Sequence, residues 1–295
     1  MNGGKASKKI PHSNNFDYKS IAIWSATGFF LGDTTFYNDV KVLDPSCKFE
    51  NGKVSGPDWK WHYSPRNISF NNTVDKFSEI FENLILKDIE NKRMILPLSG
   101  GLDSRTLAAA LVERKNINTI SYEFKNGINE TKYAKDIASL LKWKFYEFKI
   151  HQGYLWDNIE ELALINQYQV EFTHSRQMAV IDKIKKYGDL LLTGHWGDVL
   201  FDSPKINDNA SLEQQAYFVI KSIAKPGGIE LASELWRYWE LKGDFKDYLF
   251  IRIKELLEKI DISSPKSKIR AFKSLHWAPR WANPNINVFK NRIDI

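Results

Sequence analysis

The sequence predicts an α/β fold: a parallel sheet with helices on both faces, preceded by a small β-rich segment and followed by a helical part. Three observations carry this. From Arg93 onward, short apolar runs alternate with stretches of helical period, as βαβ units require. A glycine-rich turn, Ser99-Gly100-Gly101-Leu102-Asp103-Ser104, stands between one such run and the helix after it. The chain up to about Arg66 is turn-rich, whereas about Ser211 to Arg270 is helical throughout.

In the first part, the apolar run Ile21 to Ile23 reads as β-like, Gly28 and Gly32 bracket aromatics, and Val40 to Leu43 runs into Asp44-Pro45. Lys48-Phe49-Glu50 and Lys53-Val54-Ser55 flank Asn51-Gly52, the strongest short hairpin signal in the chain. Asn71 to Lys92 turns helical, with Phe77, Ile80, Phe81, Leu84, Ile85 and Ile89 recurring at three and four. Then come a strand at Met94 to Leu98, a helix from about Ser104, a strand at Thr119 to Phe124, a helix from about Glu130 to Lys142 and a strand at Lys144 to Ile150. Two further helical stretches lead to a strand at Asp189 to Thr193. Pro226-Gly227-Gly228 and Ser263-Ser264-Pro265 punctuate the helices at the end. The division expected is a β-rich segment over 1–70 and the α/β and helical part over 71–295.

With 295 residues, 43% hydrophobic and 26% charged, the composition excludes disorder and collagen. Cys47 is the single cysteine, so no intramolecular disulfide forms and a reducing compartment is expected. The apolar stretch Ile21 to Leu31 is too short to span a bilayer and is broken by Ser25, Thr27 and Gly28. No apolar segment follows Met1 as in a secretory signal, so the expectation is a cytoplasmic protein with no membrane partner. The net charge of +6 is spread along the chain, which argues against nucleic acid as the partner. Seven of the 10 tryptophans lie outside the middle of the chain, which leaves room for a homo-oligomer.

The chemistry centres on the turn at Ser99. Two glycines let the backbone bend tightly, its amides and two hydroxyls point at one anion, and the helix N-terminus adds partial positive charge. Asp103 would repel a phosphate unless a divalent cation lies between them, which points to Mg²⁺. The turn lacks the lysine of a Walker loop. An ordinary βα turn capped by Ser104 is the structural alternative.

This turn resembles the pyrophosphate loop, Ser-Gly-Gly-x-Asp-Ser, of the ATP pyrophosphatase (PP-loop) superfamily. The later segment Thr193-Gly194-His195-Trp196-Gly197-Asp198-Val199-Leu200-Phe201 resembles the asparagine synthetase signature Ser-Gly-Glu-Gly-x-Asp-Glu-x-Phe, with Gly194, Asp198 and Phe201 in step. Glu130-Thr131-Lys132-Tyr133-Ala134 looks like that family's Glu-x-x-Tyr-Ala helix, and Gly32 to Phe36 with Val42 to Pro45 resembles the tail of its glutaminase domain. The resemblance runs from about Thr27 to about Phe201, and weakly through the C-terminal helices. It implies an adenine nucleotide alpha hydrolase-like fold, with 1–70 as a glutaminase-tail remnant and 71–295 as the synthetase domain, truncated at its C-terminus. It also implies ATP and Mg²⁺ as cofactors, a small-molecule carboxylate as substrate, and release of AMP and pyrophosphate. Ser99, Gly100, Gly101 and Ser104 would bind pyrophosphate, Asp103 and Asp198 would hold Mg²⁺, and Leu98, Phe124 and Gly194 would line the adenine and ribose pocket.

Departures from the family pattern sharpen the expectations. His195 replaces a glutamate that receives ammonia in the family; a neutral imidazole there can accept a proton from an incoming amine. Val199 replaces the second acidic residue. Met1-Asn2 stands where glutamine-dependent members have a nucleophilic cysteine, so ammonia is expected from solution or a separate glutaminase. The family's later Arg-x-Pro-Phe-x-Asp segment and lysine are not found. His174 and Arg176 are candidates for facing the carboxylate substrate, Arg176 as a bidentate clamp. His195, Asp103 and Asp198 are the candidate catalytic residues. The leading expectation is an asparagine synthetase-like ligase; the alternatives are a tRNA-modifying PP-loop ATPase and a catalytically silent nucleotide-binding fragment.

Overall fold

The computed structural model describes residues 13–87, 89, 92–125, 127, 130–171, 176–195, 197–201 and 203–282. In chain order these contain α1 (Tyr18–Thr27), a hairpin of β1 (Lys48–Glu50) and β2 (Lys53–Ser55), α2 (Phe70–Lys87), β3 (Met94–Pro97), α3 (Leu102–Ala110), β4 (Ile117–Phe124), α4 (Thr131–Leu140), β5 (Lys144–Ile150) and α5 (Tyr154–Ile165). There follow a 3-10 turn (Arg176–Ala179), α6 (Ile181–Ile184), a second 3-10 turn (Lys185–Tyr187), β6 (Leu190–Leu191) and α7 (Gly197–Phe201). The last elements are α8 (Leu212–Ile223), α9 (Gly228–Tyr238), α10 (Phe245–Glu258), α11 (Pro265–Phe272) and a π-helical stretch, Lys273–Ala282. Among the described residues no helix is long and apolar enough to cross a membrane.

Two compact units form. One draws on the described residues within Met1–Ser64, Leu164–Glu171 and Asp202–Pro284, the other on those within Pro65–Ala163 and Phe172–Phe201. Each is discontinuous in sequence.

The second unit holds a parallel sheet in the order β5-β4-β3-β6. Met94 pairs with Ile117 and with Leu190, and Asn118 to Phe124 run beside Lys144 to Ile150. Alternation along β3 sends Met94, Leu96 and Leu98 into one cluster with Leu107, Ala108 and Leu111 around α3 and Ala134 and Ala138 of α4. Phe81 and Ile85 of α2 pack on the same cluster, while Ile95 is fully buried outside it. β6 lies close to β3: a Cβ on Gly188 would meet the Arg93 carbonyl oxygen at 2.7 Å, and the Asp189 amide donates to that oxygen at 2.7 Å. The chain advances from β3 through β4 to β5 and then returns to the far side of β3. That reversal puts the crevice between the carboxyl ends of β3 and β6, where open α/β sheets bind ligands.

The first unit is helical, with its core in Ala22, Ile23, Ala26, Trp236, Phe245, Leu249, Ile253, Ile269 and Phe272. Here one local expectation fails: Ile21 to Ile23 is part of helix α1 rather than a β-like run. The reason lies in its ends. Asp17 accepts from the Ser20 amide at 3.0 Å and from the Ser20 hydroxyl at 2.7 Å, and Gly28 closes the helix at φ 82°, its amide donating to the Trp24 carbonyl at 2.7 Å. Ser25 and Thr27, which interrupt the apolar run, satisfy their hydroxyls on the Ile21 and Ile23 carbonyls. α1 packs on the start of α9, where a Cβ on Gly228 would lie 2.5 Å from the Ala26 oxygen. Strand structure in the N-terminal segment centres on the hairpin, whose Asn51 (φ 51°) and Gly52 (φ 75°) form the turn that the sequence predicts.

Candidate active site

The turn after β3 holds its own shape. The Ser104 hydroxyl accepts from the Ser99 amide at 3.1 Å, lies 3.1 Å from the Ser99 hydroxyl oxygen, and lies 3.3 Å from the carbonyl oxygens of Ser99 and Gly101. The Gly101 amide donates to Ser99 Oγ at 3.1 Å. Helix α3 begins at Leu102 behind an extended Gly101, and no side chain caps it. Its first amides have no acceptor within the helix, so together with the dipole they form a seat for an anion. From outside, Tyr133 of α4 presses on the turn: a Cβ on Gly100 would meet its ring at 3.3 Å.

The second motif docks onto the first through two glycines. A Cβ on Gly194 would lie 3.3 Å from the backbone of Asp103 and Ser104, and one on Gly197 would lie 2.6 Å from Asp103 Oδ1. The Asp198 amide donates to Asp103 Oδ2 at 3.3 Å. Asp103 thus receives the first turn of α7. Asp198 is exposed and turns its carboxylate back to its neighbour's amide, Val199 N, at 2.9 Å.

A cavity of about 460 Å³ opens at the carboxyl ends of β3, β4 and β6, within the size range of small-ligand sites. Of the residues expected at a site, Leu98, Ser99, Gly101, Asp103, Ser104, Phe124, Arg176, Gly194 and His195 line it. Gly100 supports the turn without lining the cavity, and Asp198 stands beside it, joined through Asp103. His174 lies outside the described residues.

Sequence reasoning missed Tyr122, Glu123 and Gln177 in this wall, and gave Glu130 only a motif position. The place of Tyr122 and Glu123 at the carboxyl end of a parallel strand is the signal that could have found them. Glu123 is fixed: its carboxylate accepts from the Thr131 hydroxyl at 3.1 Å and faces Lys149 Nζ at 4.0 Å. Burial pushes the Tyr122 phenol up to about 12, against the opposing pull of Arg176, and burial also raises Tyr154. His195 keeps surface open to solvent, yet the protein packed around its ring holds the imidazole below its ordinary 6.5, because burial disfavours the charged form.

Asp103 suits a cation shared with phosphates, since Mg²⁺ binds through one or two carboxylates plus phosphate oxygens and waters. Among the described residues no group of three or more His, Cys, Asp or Glu is placed to hold a metal. The donor set therefore fits Mg²⁺ carried with a nucleotide better than a cation held by protein alone.

The model of the asparagine synthase family matches residues 91–282. No curated protein sequence matches the chain. Among solved structures, an NH3-dependent NAD synthetase from Campylobacter jejuni, in complex with the nitrate ion, is similar at 16% identity, covering 61% of this chain and 93% of that one with a TM-score of 0.33.

Proposed function

The chain belongs to the asparagine synthase family, its model matching residues 91–282, and from that premise we propose that the cavity binds ATP with Mg²⁺ and turns a small-molecule carboxylate into an amide. A carboxylate oxygen attacks the α-phosphorus, the bond to the β-phosphate breaks, and pyrophosphate leaves into the turn Ser99–Ser104. Ammonia then attacks the acyl carbon of the adenylate, gives up a proton, and AMP departs.

The observation that carries this reading is the uncapped start of α3, opening into the cavity beside Asp103. Ser99, Gly101 and Ser104 orient the leaving pyrophosphate, and Gly100 holds the turn. Asp103, with Asp198 as the second candidate, would hold Mg²⁺, which when bound neutralises phosphate charge. Leu98, Gly194 and Phe124 enclose the nucleoside. His195, kept neutral by its surroundings, accepts the proton lost by ammonia. Ammonia comes from solution or from a separate glutaminase, and a homo-oligomer is compatible with this scheme.

The test is pyrophosphate and AMP formation from ATP against a panel of carboxylates with ammonium, with Asp103→Ala as the control. Pyrophosphate that depends on a carboxylate supports the reading. ADP as the product refutes it, and ATP binding without any turnover assigns the chain to nucleotide binding alone.

A further inference from the structure

The cavity has two unlike ends. One is the anion seat at Ser99–Ser104; the other is aromatic and cationic, built from Phe124, Tyr122 and Arg176. Register separates them. Ile120 pairs with Pro97, and β4 runs four residues further to Phe124, or about 13 Å at the usual strand rise. The turn, in contrast, leaves β3 just after Pro97. A nucleotide whose phosphates occupy the turn therefore directs its base toward Phe124.

Arg176 belongs to that second end. Its guanidinium carbon lies 5.5 Å from the centre of the Phe124 ring, and Tyr154 holds the same ring from 5.7 Å at 48°. Among the described residues Arg176 makes no ion pair; besides Phe124, its charge acts on the Tyr122 and Tyr154 phenols. Glu123 and Glu130 line the same end, with Lys149 Nζ 4.0 Å from the Glu123 carboxylate, so that this end carries charges of both signs and no cationic excess to draw an anionic acceptor. A planar, weakly hydrated guanidinium braced by an aromatic ring is suited to stacking on a second π-system.

From this juxtaposition we infer that Arg176 recognises the base of the nucleotide by stacking, and does not clamp the carboxylate acceptor. The inference rests on the proposed binding of ATP in this cavity. The acceptor is then left to the side of the cavity near His195.

Calorimetric titration of the full chain with ATP, AMP and inorganic pyrophosphate tests it. Arg176→Ala is expected to weaken ATP and AMP by about tenfold, the scale of a partly desolvated cation–π contact, and to leave pyrophosphate unchanged. Arg176→Lys keeps the charge but loses the plane, so it is expected to resemble the alanine variant. Unchanged ATP and AMP affinity in Arg176→Ala overturns the inference, as does full affinity in Arg176→Lys or a rise confined to the KM of the carboxylate. If the wild-type chain binds neither ATP nor AMP, the ATP reading and the inference fall together. If it binds both and the variants match it, only the stacking role falls.

Discussion

Gly197→Ala separates the chemistry of the site from the stability of the fold. The new methyl carbon would stand 2.6 Å from Asp103 Oδ1, 2.7 Å from its Cγ and 3.1 Å from Oδ2. Non-bonded heavy atoms settle at about 3.5 Å, so the carboxylate must swing by roughly 1 Å. It can do so cheaply, because it is the free end of a short side chain. Alanine in place of glycine favours α7 by about 0.5–1 kcal/mol, while loss of the Asp198 amide's bond to the carboxylate costs about as much. Net stability should therefore stay within about 1 kcal/mol, a shift in Tm of no more than about 4 °C. The rate should not survive so well, since a displacement of about 1 Å at the reacting centre costs on the order of a hundredfold. Pyrophosphate release with the best carboxylate of the panel, measured beside thermal unfolding, reads both quantities. A Gly197→Ala protein that keeps the wild-type rate, or loses activity only in step with its stability, would refute the role given to Asp103.

Two further outcomes follow from single side chains. Ser104→Ala removes the acceptor of the Ser99 amide and the partner of the Ser99 hydroxyl; the turn should lose about 1–3 kcal/mol, seen as a lower denaturant midpoint together with weaker pyrophosphate binding. His276, in the π-helical stretch beside Phe272, is held down to about 4 by burial and by Lys259, against 6.5 when free. Between those values the unfolded chain carries the extra proton, so the folded state loses stability as pH falls from 6.5 to 4, by at most about 3 kcal/mol. His276→Asn should flatten that acid limb in denaturant titrations, and parallel limbs in the two proteins would count against it.

Local pattern made the sheet and the turn legible. β3 to β5 follow from short runs separated by helices of ordinary period, and Ser99–Ser104 sits where strand passes to helix, its glycines leaving room for the Tyr133 ring and the Ser99 hydroxyl, each of which a Cβ would crowd at 3.3 and 3.2 Å. The hairpin at Asn51-Gly52 was equally local. The misreading of Ile21 to Ile23 shows the limit of such reasoning: three apolar residues have no period of their own, and the helix is decided by Asp17 before them and Gly28 after.

The sequence by itself therefore determined the α/β class, the two motifs and nine of the residues that line the cavity, since backbone propensity and motif spacing act over a few neighbours. Tertiary structure alone decided which groups meet. It brought Gly197 against the carboxylate of Asp103, turned Asp198 back on its own helix, and set Arg176 over Phe124 in a cavity that Glu123 and Glu130 also line. Those placements depend on how strands distant in the chain come side by side, and the energy that selects them is shared among contacts that no short stretch of sequence contains.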